Sequence, residues 1–293
     1  MNSEKKMNKY KRINTQILVG FLAAFILAGC ASQRVSTKSS VMDYLYPNSS
    51  DTFVEPSMPY LKVPLRVGIA FVPESTDRGY AHNYWTGRTY SGGLTEAKKI
   101  DLLENIAGNF KELDFVGSIE VIPTAYLTPK GGFSNLSQIK TMYGVDVIAL
   151  VSYDQVQFTD EGMLSLSYWT IVGAYVVSGE KNDTNTLMDT VVYDIDSKKL
   201  LFRAPGTSHV TGSSTPVNLS EELRADSIKG FENATEMMVS NLQSELKKFK
   251  QSIKDNPSQA QVAYREGYTG GAGSMQWPFL MMLTCLMVWR NRR

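Results

Sequence analysis

Both ends of the chain carry a short apolar run beside a junction of small residues, and this confines the independently folding part to what lies between them. At the start, Lys5, Lys6, Lys9, Lys11 and Arg12 precede an apolar stretch from Ile17 to Gly29. This is the layout of a secretory signal. A helix of about 13 residues reaches roughly 20 Å at 1.5 Å per residue. The hydrocarbon core is about 30 Å thick, so the run is a poor permanent span. At the finish, Gly270, Gly271, Ala272, Gly273 and Ser274 precede an apolar run from Met275 to Trp289, and Arg290, Arg292 and Arg293 follow it. Trp277 and Trp289 bracket this run as aromatic residues do at membrane interfaces, and the arginines favour the cytoplasmic side. The glycines permit an unwound backbone, which an intramembrane protease requires.

The first junction, Leu27-Ala28-Gly29-Cys30, resembles the lipobox of bacterial lipoproteins residue for residue. The resemblance implies that a lipoprotein signal peptidase recognises Leu27, Ala28 and Gly29. Cys30 then becomes the first mature residue and carries acyl chains such as palmitate on its sulfur and amine. Two or more chains give stable anchoring, since each buried CH₂ contributes about 0.8 kcal/mol. In such lipoproteins an aspartate after the cysteine favours inner-membrane retention. Ala31 stands there instead, which points to the outer membrane. The second junction, with Gly270-Gly271, Trp277 to Trp289 and the closing arginines, resembles the GlyGly-CTERM sorting tail, a substrate of rhombosortase, a rhomboid-type serine protease. The two signals together resemble the rhombotarget lipoprotein family. They imply a chain that spans the inner membrane transiently before C-terminal cleavage, then stays at the outer membrane or cell surface.

Processing of this kind leaves residues 30–270, enough for one domain. A hydrophobic content of 43% and a charged content of 20% are those of an ordinary globular protein. The formal charge is +1, and both ends are basic, so the middle is mildly acidic. That argues against a nucleic-acid partner. The two cysteines are Cys30 and Cys285. One is the acylation position and the other lies in the tail, so the exported part holds no disulfide, thiolate metal site or cysteine nucleophile.

Residues 30–60 are rich in Ser and Pro and read as a tether, with Tyr44, Leu45 and Tyr46 available to dock. The expected globular domain covers 61–253. Leu65 to Val72 reads as a first strand, ended by Pro73. Leu94, Ala97, Leu103, Ile106, Phe110 and Leu113 recur at helical spacing. Phe115 to Ile122 reads as a second strand. A short helix follows, with Ser134 capping its start and Gly144 its end. Val145 to Val151 is nearly all apolar and suits a strand buried on both faces, extending through Phe158. Asp160-Glu161-Gly162 reads as a hairpin turn into a strand from Met163 to Val177. Leu187 to Ile195 and Lys199 to Ala204 make a hairpin turned at Asp196-Ser197. A long amphipathic helix is expected over 219–253, with Leu223, Ile228, Phe231, Met238, Leu242, Leu246 and Phe249 along one side and Asn218 and Glu221 as a capping box. Residues 254–274 read as a linker and 275–293 as the membrane tail. The fold class is therefore α/β (α+β): a mixed β-sheet with helices packed on it and a long C-terminal helix.

Catalytic chemistry is sparse. The two histidines are His82, in a loop, and His209, after the last strand. Ser75, His82 and Asp77 are close only in sequence, and no Gly-x-Ser-x-Gly elbow exists. No zinc-ligand spacing occurs, so neither metal nor cofactor is expected beyond the lipid at Cys30. Asp183-Thr184-Asn185 and Asp194-Ile195-Asp196 read as turns. Glu74, Asp77 and Asp154 are too scattered to form a hydrolase pair. The loop from Arg78 to Tyr90 is the candidate binding segment: Tyr80, Tyr84, Trp85 and Tyr90 alternate with Arg78, His82 and Arg88, and aromatics with arginine dominate binding hot spots. The competing role for its aromatics is to cover the sheet edge.

The opening strand Val67-Gly68-Ile69-Ala70-Phe71, the entry Gly144-Val145-Asp146-Val147-Ile148 and the meander after it resemble the assembly lipoprotein domain of the curli secretion channel. That resemblance implies an envelope assembly or interaction role. The expectation is a non-enzymatic lipoprotein that binds an envelope protein or polysaccharide. The alternatives are a surface hydrolase and an oligomeric secretion component joined through helix 219–253.

Overall fold

A single long strand organises the sheet. The computed structural model describes residues 33–47, 57–74, 80–83, 88–161, 180–215 and 217–268. In chain order the elements are β1 (Gln33–Lys38), α1 (Val41–Leu45), β2 (Tyr60–Val63), β3 (Leu65–Phe71), β4 (Tyr80–Asn83), β5 (Arg88–Ser91), α2 (Glu96–Gly108), β6 (Val116–Val121), a 3-10 turn (Thr124–Tyr126), α3 (Gly132–Tyr143), β7 (Val147–Glu161), β8 (Glu180–Asp194), β9 (Leu200–Ser214), α4 (Leu219–Asp255) and β10 (Gln261–Tyr264). The main sheet runs β6-β3-β7-β8-β9, with β1 also on β7. The β6-β3-β7 part is parallel, and β7-β8-β9 is an antiparallel meander. The mixed α/β class expected from the sequence is the class observed.

Strand β7 has 15 residues. Its first half pairs with β3, Val67 opposite Val147 through Phe71 opposite Val151. Its second half pairs with β1, Lys38 opposite Asp154 through Gln33 opposite Thr159. The handover falls at Tyr153, whose carbonyl accepts the Ser39 N–H at 2.8 Å and whose N–H donates to Ser39 Oγ at 3.1 Å.

Side chains alternate between the two faces. Ile69, Phe71, Val147, Val151, Tyr153, Met188 and Val192 lie in one core with α2 and α4. Ala70, Val72, Ile148, Leu150, Val191 and Tyr193 lie in a second core with α1 and α3. Further along β7 the helix-facing positions become polar yet stay buried: Gln155, Gln157 and Thr159. Gln155 Nε2 donates to Thr186 Oγ1 at 2.7 Å and to the Ser227 carbonyl at 3.1 Å. Gln157 Nε2 donates to Thr184 Oγ1 at 2.9 Å and to the Leu223 carbonyl at 2.8 Å. These bonds offset the desolvation of the amides.

Several expectations are corrected. The described part of the 30–60 tether is structured: β1 completes the edge of β7, with Val35 and Thr37 facing inward and buried. Tyr44 and Leu45 do dock, and Tyr44 donates its hydroxyl to Asn135 Oδ1 at 2.8 Å. No turn forms at Asp160 or Glu161; they continue β7 opposite Lys181 and Glu180. The strand expected from Met163 to Val177 lies outside the described residues. Asp183-Thr184-Asn185 and His209 belong to strands β8 and β9, because inward Asn182, Thr184 and Thr186 are hydrogen-bonded inside the fold. Helix α3 starts after Gly131 rather than at Ser134, and Gly144 closes it in the left-handed region at φ 68° as expected. Asn218 opens α4 but its side chain bonds Thr215 and Glu222, so the expected box with Glu221 does not form. The linker expected over 254–274 contains β10, paired in parallel with β2.

Helix α4 has 37 residues and lies across the meander. Phe231, Ala234 and Met238 are fully buried on it. Its apolar stripe is therefore used by its own sheet, and Ile228, expected on that stripe, is exposed. The approach is close enough to require glycine in β9. A Cβ on Gly206 would sit 2.2 Å from the Ala234 carbonyl oxygen and 2.5 Å from the Met238 nitrogen. Both are backbone atoms, so relief requires the helix to shift. Among the described residues, no helix is long and apolar enough to cross a membrane.

Gly206→Ala is expected to destabilise the chain by about 2–3 kcal/mol through overpacking. Urea unfolding of the full chain followed by circular dichroism measures this, and an unchanged midpoint would contradict the close approach.

Candidate functional site

The loop chosen from sequence divides in the structure. Arg78, Tyr84 and Trp85 lie outside the described residues, as do Ser75 and Asp77. Tyr80 and Arg88 stand in the β4-β5 hairpin, opposite Ser91 and Asn83 respectively, and His82 is opposite Thr89 in the same hairpin. Tyr90 is buried with Val35, Leu219 and Leu223, and its hydroxyl donates to the Leu223 carbonyl at 3.4 Å. Burial is the main cause that pushes its phenol above the ordinary range. Tyr90 therefore seals the start of α4 against β1 and is not an exposed contact. The processing residues Leu27, Ala28, Gly29, Cys30, Gly270, Gly271, Trp277, Trp289, Arg290, Arg292 and Arg293 also lie outside the described residues.

The other titratable candidates are not brought together. Glu74 forms a buried ion pair with Lys99, Nζ to Oε1 2.9 Å, with both side chains under a tenth exposed. Asp154 is exposed on β7. His209 Nε2 lies 2.9 Å from Asp183 Oδ1 on the outer face of the meander, where both are more than half exposed. Among the described residues, no group of three or more His, Cys, Asp or Glu side chains is arranged to hold a metal ion.

What the fold does build is an apolar cavity of about 470 Å³. That lies within the roughly 300–1,000 Å³ of small-molecule sites. Its floor is the proximal half of the sheet, with Val67, Ile69, Val147, Ala149 and Val192 pointing in. One wall is the end of α2, through Ile106 and Ala107, with Phe110 just beyond it. The other is the last turns of α4, through Leu242, Leu246, Phe249 and Ile253. The β2-β10 ribbon borders it with Leu61, Val63, Val262 and Tyr264. The close approaches of α4 to the sheet, at Gly230 and where Gly206 of β9 meets Ala234 and Met238, lie before the part of the helix that lines the cavity.

Polar groups at the cavity are few. Thr190 donates its hydroxyl to Met238 Sδ at 3.0 Å. Lys250 and Lys254 come from α4, and the Lys250 ammonium sits 4.3 Å from the centre of the Phe115 ring. Tyr264 and Tyr268 stack with ring centres 5.9 Å apart. Among the described residues, no Asp or Glu lines the cavity.

The ribbon is clipped to the main sheet by a three-residue ion cluster. Arg66, at the start of β3, donates from Nε and Nη2 to the two Asp146 oxygens, each at 3.0 Å. Arg265, just after β10, donates Nε to the Pro64 carbonyl at 3.0 Å and its guanidinium to Asp146. Burial alone would raise the Asp146 carboxyl. The Arg66 hydrogen bond and the charges of Arg66, Arg265 and Lys140 outweigh it and hold the group below the usual carboxylate range.

No family model and no curated protein matches the chain. Neither the rhombotarget nor the curli-type resemblance is therefore supported by them. A solved structure, the PelC L103M dodecamer from Paraburkholderia phytofirmans, is similar at 12% identity, with 59% of this chain and 94% of that chain covered and a TM-score of 0.25.

Because the folded Asp146 titrates below its unfolded value of about 3.8, its contribution is complete above that value and is lost as pH falls through the depressed one. Asp146→Asn is expected to cost about 1–2 kcal/mol near neutral pH. The gap to the parent chain should narrow by about pH 2. Urea midpoints at both pH values test this, and a gap that widens in acid would refute the assignment.

Proposed function

We propose that this is an exported envelope lipoprotein, acylated at Cys30 and cut near Gly270-Gly271 by a rhomboid-type protease, with a non-catalytic binding or assembly role at the outer membrane or cell surface. The observation that carries this reading is that every described element lies between the two junctions. Strand β1 begins at Gln33, three residues after Cys30, and β10 ends at Tyr264, six before Gly270. Both cleavages would thus remove the apolar ends and leave every described element whole. The partner is an envelope protein or a polysaccharide, and the membrane is reached through the acyl chains.

Binding is favoured over hydrolysis by the titratable groups. Glu74 is committed to Lys99, and the exposed His209–Asp183 pair is on the outer face of the sheet, away from the cavity. Self-assembly through α4 is disfavoured, since the apolar stripe of that helix is buried on its own sheet.

Intact-mass analysis of the protein from cells with and without the protease tests the processing. The expected product begins at Cys30 with a lipid increment and lacks the residues beyond the glycine pair. In protease-deficient cells the tail should remain. An unacylated chain from Met1 to Arg293 in both strains would remove the reading.

A further inference from the structure

The cavity between the sheet and the end of α4 has a chemistry narrower than "apolar". Among the described residues, every side chain that lines it from the sheet is apolar except Thr190, whose hydroxyl is already given to Met238. A peptide segment inserted here would bring amides with nothing to bond, at a large desolvation cost. A plain hydrocarbon chain carries no such groups. Among the described residues, the only formal charges lining the cavity are Lys250 and Lys254. They are four residues apart on one helix and so face the same way. Neither forms an ion pair among the described residues: Lys250 rests on the Phe115 ring, while the nearby acids Glu245 and Asp255 are engaged by Lys248 and Gln251.

We propose that this cavity binds one long-chain fatty acid, with its hydrocarbon chain among Val67, Ala107, Leu246 and Phe249 and its carboxylate at Lys250 and Lys254. This deepens the reading of the protein as a binding module, but it does not depend on Cys30. A lysine pair whose neighbouring acids are engaged by other side chains complements one anionic head. An apolar interior of this volume complements one chain. The β2-β10 ribbon, with Tyr264 and Tyr268, forms the side by which the ligand enters, and the Arg265–Asp146 clip sets its position.

The test uses the full chain in isolated membranes and a palmitate analogue carrying a diazirine at the chain end. After irradiation, crosslinks should be saturable and map to peptides containing Ala107–Phe110 and Leu242–Phe249. Excess palmitate should compete, and neutral monopalmitoylglycerol should not. The double variant Lys250→Glu/Lys254→Glu, both exposed positions, should reduce labelling about fivefold. The filling variants Ala107→Phe and Val67→Phe should abolish it. If the filling variants fail to fold, the lysine variant and the competition still decide. Crosslinks confined to other segments, equal competition by the neutral lipid, or full labelling after charge reversal would each overturn the proposal. Loss of labelling with the lipid increment on Cys30 intact would sink this site and spare the anchor. An unacylated chain that still labels would do the reverse.

Discussion

Strand β7 has to satisfy its backbone on both edges for fifteen residues, and the rest of the molecule is arranged around that requirement. One edge is met by β8 along its whole length. The other is divided between β3 and β1, which approach from opposite directions and meet at Tyr153. A buried strand cannot leave amides unpaired, so β1 is needed for the outer half of β7. The parallel β3-β7 pairing makes α2, β6 and α3 intervene between the two strands, as parallel pairing demands a long connection. The antiparallel meander after it supplies the broad surface on which α4 lies.

That surface changes character along its length. Over the first half the helix-facing side chains are Val, Ala and Tyr; over the second they are Gln and Thr, bonded to each other and to carbonyls of α4. Hydrogen bonds have direction, so they fix how the first turns of α4 sit. Gly206 lets the middle of the helix come down onto β9. Beyond that point the cavity lies between the sheet and the last turns of α4.

What could be read from sequence depended on where the apolar residues were. Val145–Val151, the stripe of α4 and the glycine cap at Gly144 all announce themselves by pattern, and each stands where expected apart from Ile228 on the stripe, which is exposed. Strand β1 does not, because Gln-Arg-Val-Ser-Thr-Lys holds one apolar residue and is held by its backbone. Asp183-Thr184-Asn185 reads as a turn because its residues are polar, although Thr184 points inward with Asn182 and Thr186. Their alternation with exposed Lys181, Asp183 and Asn185 is a period of two that a hydrophobicity count does not register. The cavity was illegible for a different reason. Its lining comes from nine elements, and each contributing residue reads locally as ordinary core.

The position of β1 also has a mechanical meaning. Only Ala31 and Ser32 separate Cys30 from the first paired residue, Gln33, a reach of about 10 Å even when fully extended. A lipid on that cysteine would hold the far end of the meander against the bilayer with almost no slack. Tension on the anchor would then be carried by the β1-β7 ladder, whose hydrogen bonds share a load applied along the strand. A body moored this way leans with the membrane instead of swinging above it, and the outer face carrying His209 and Asp183 would keep one bearing towards the lipid surface.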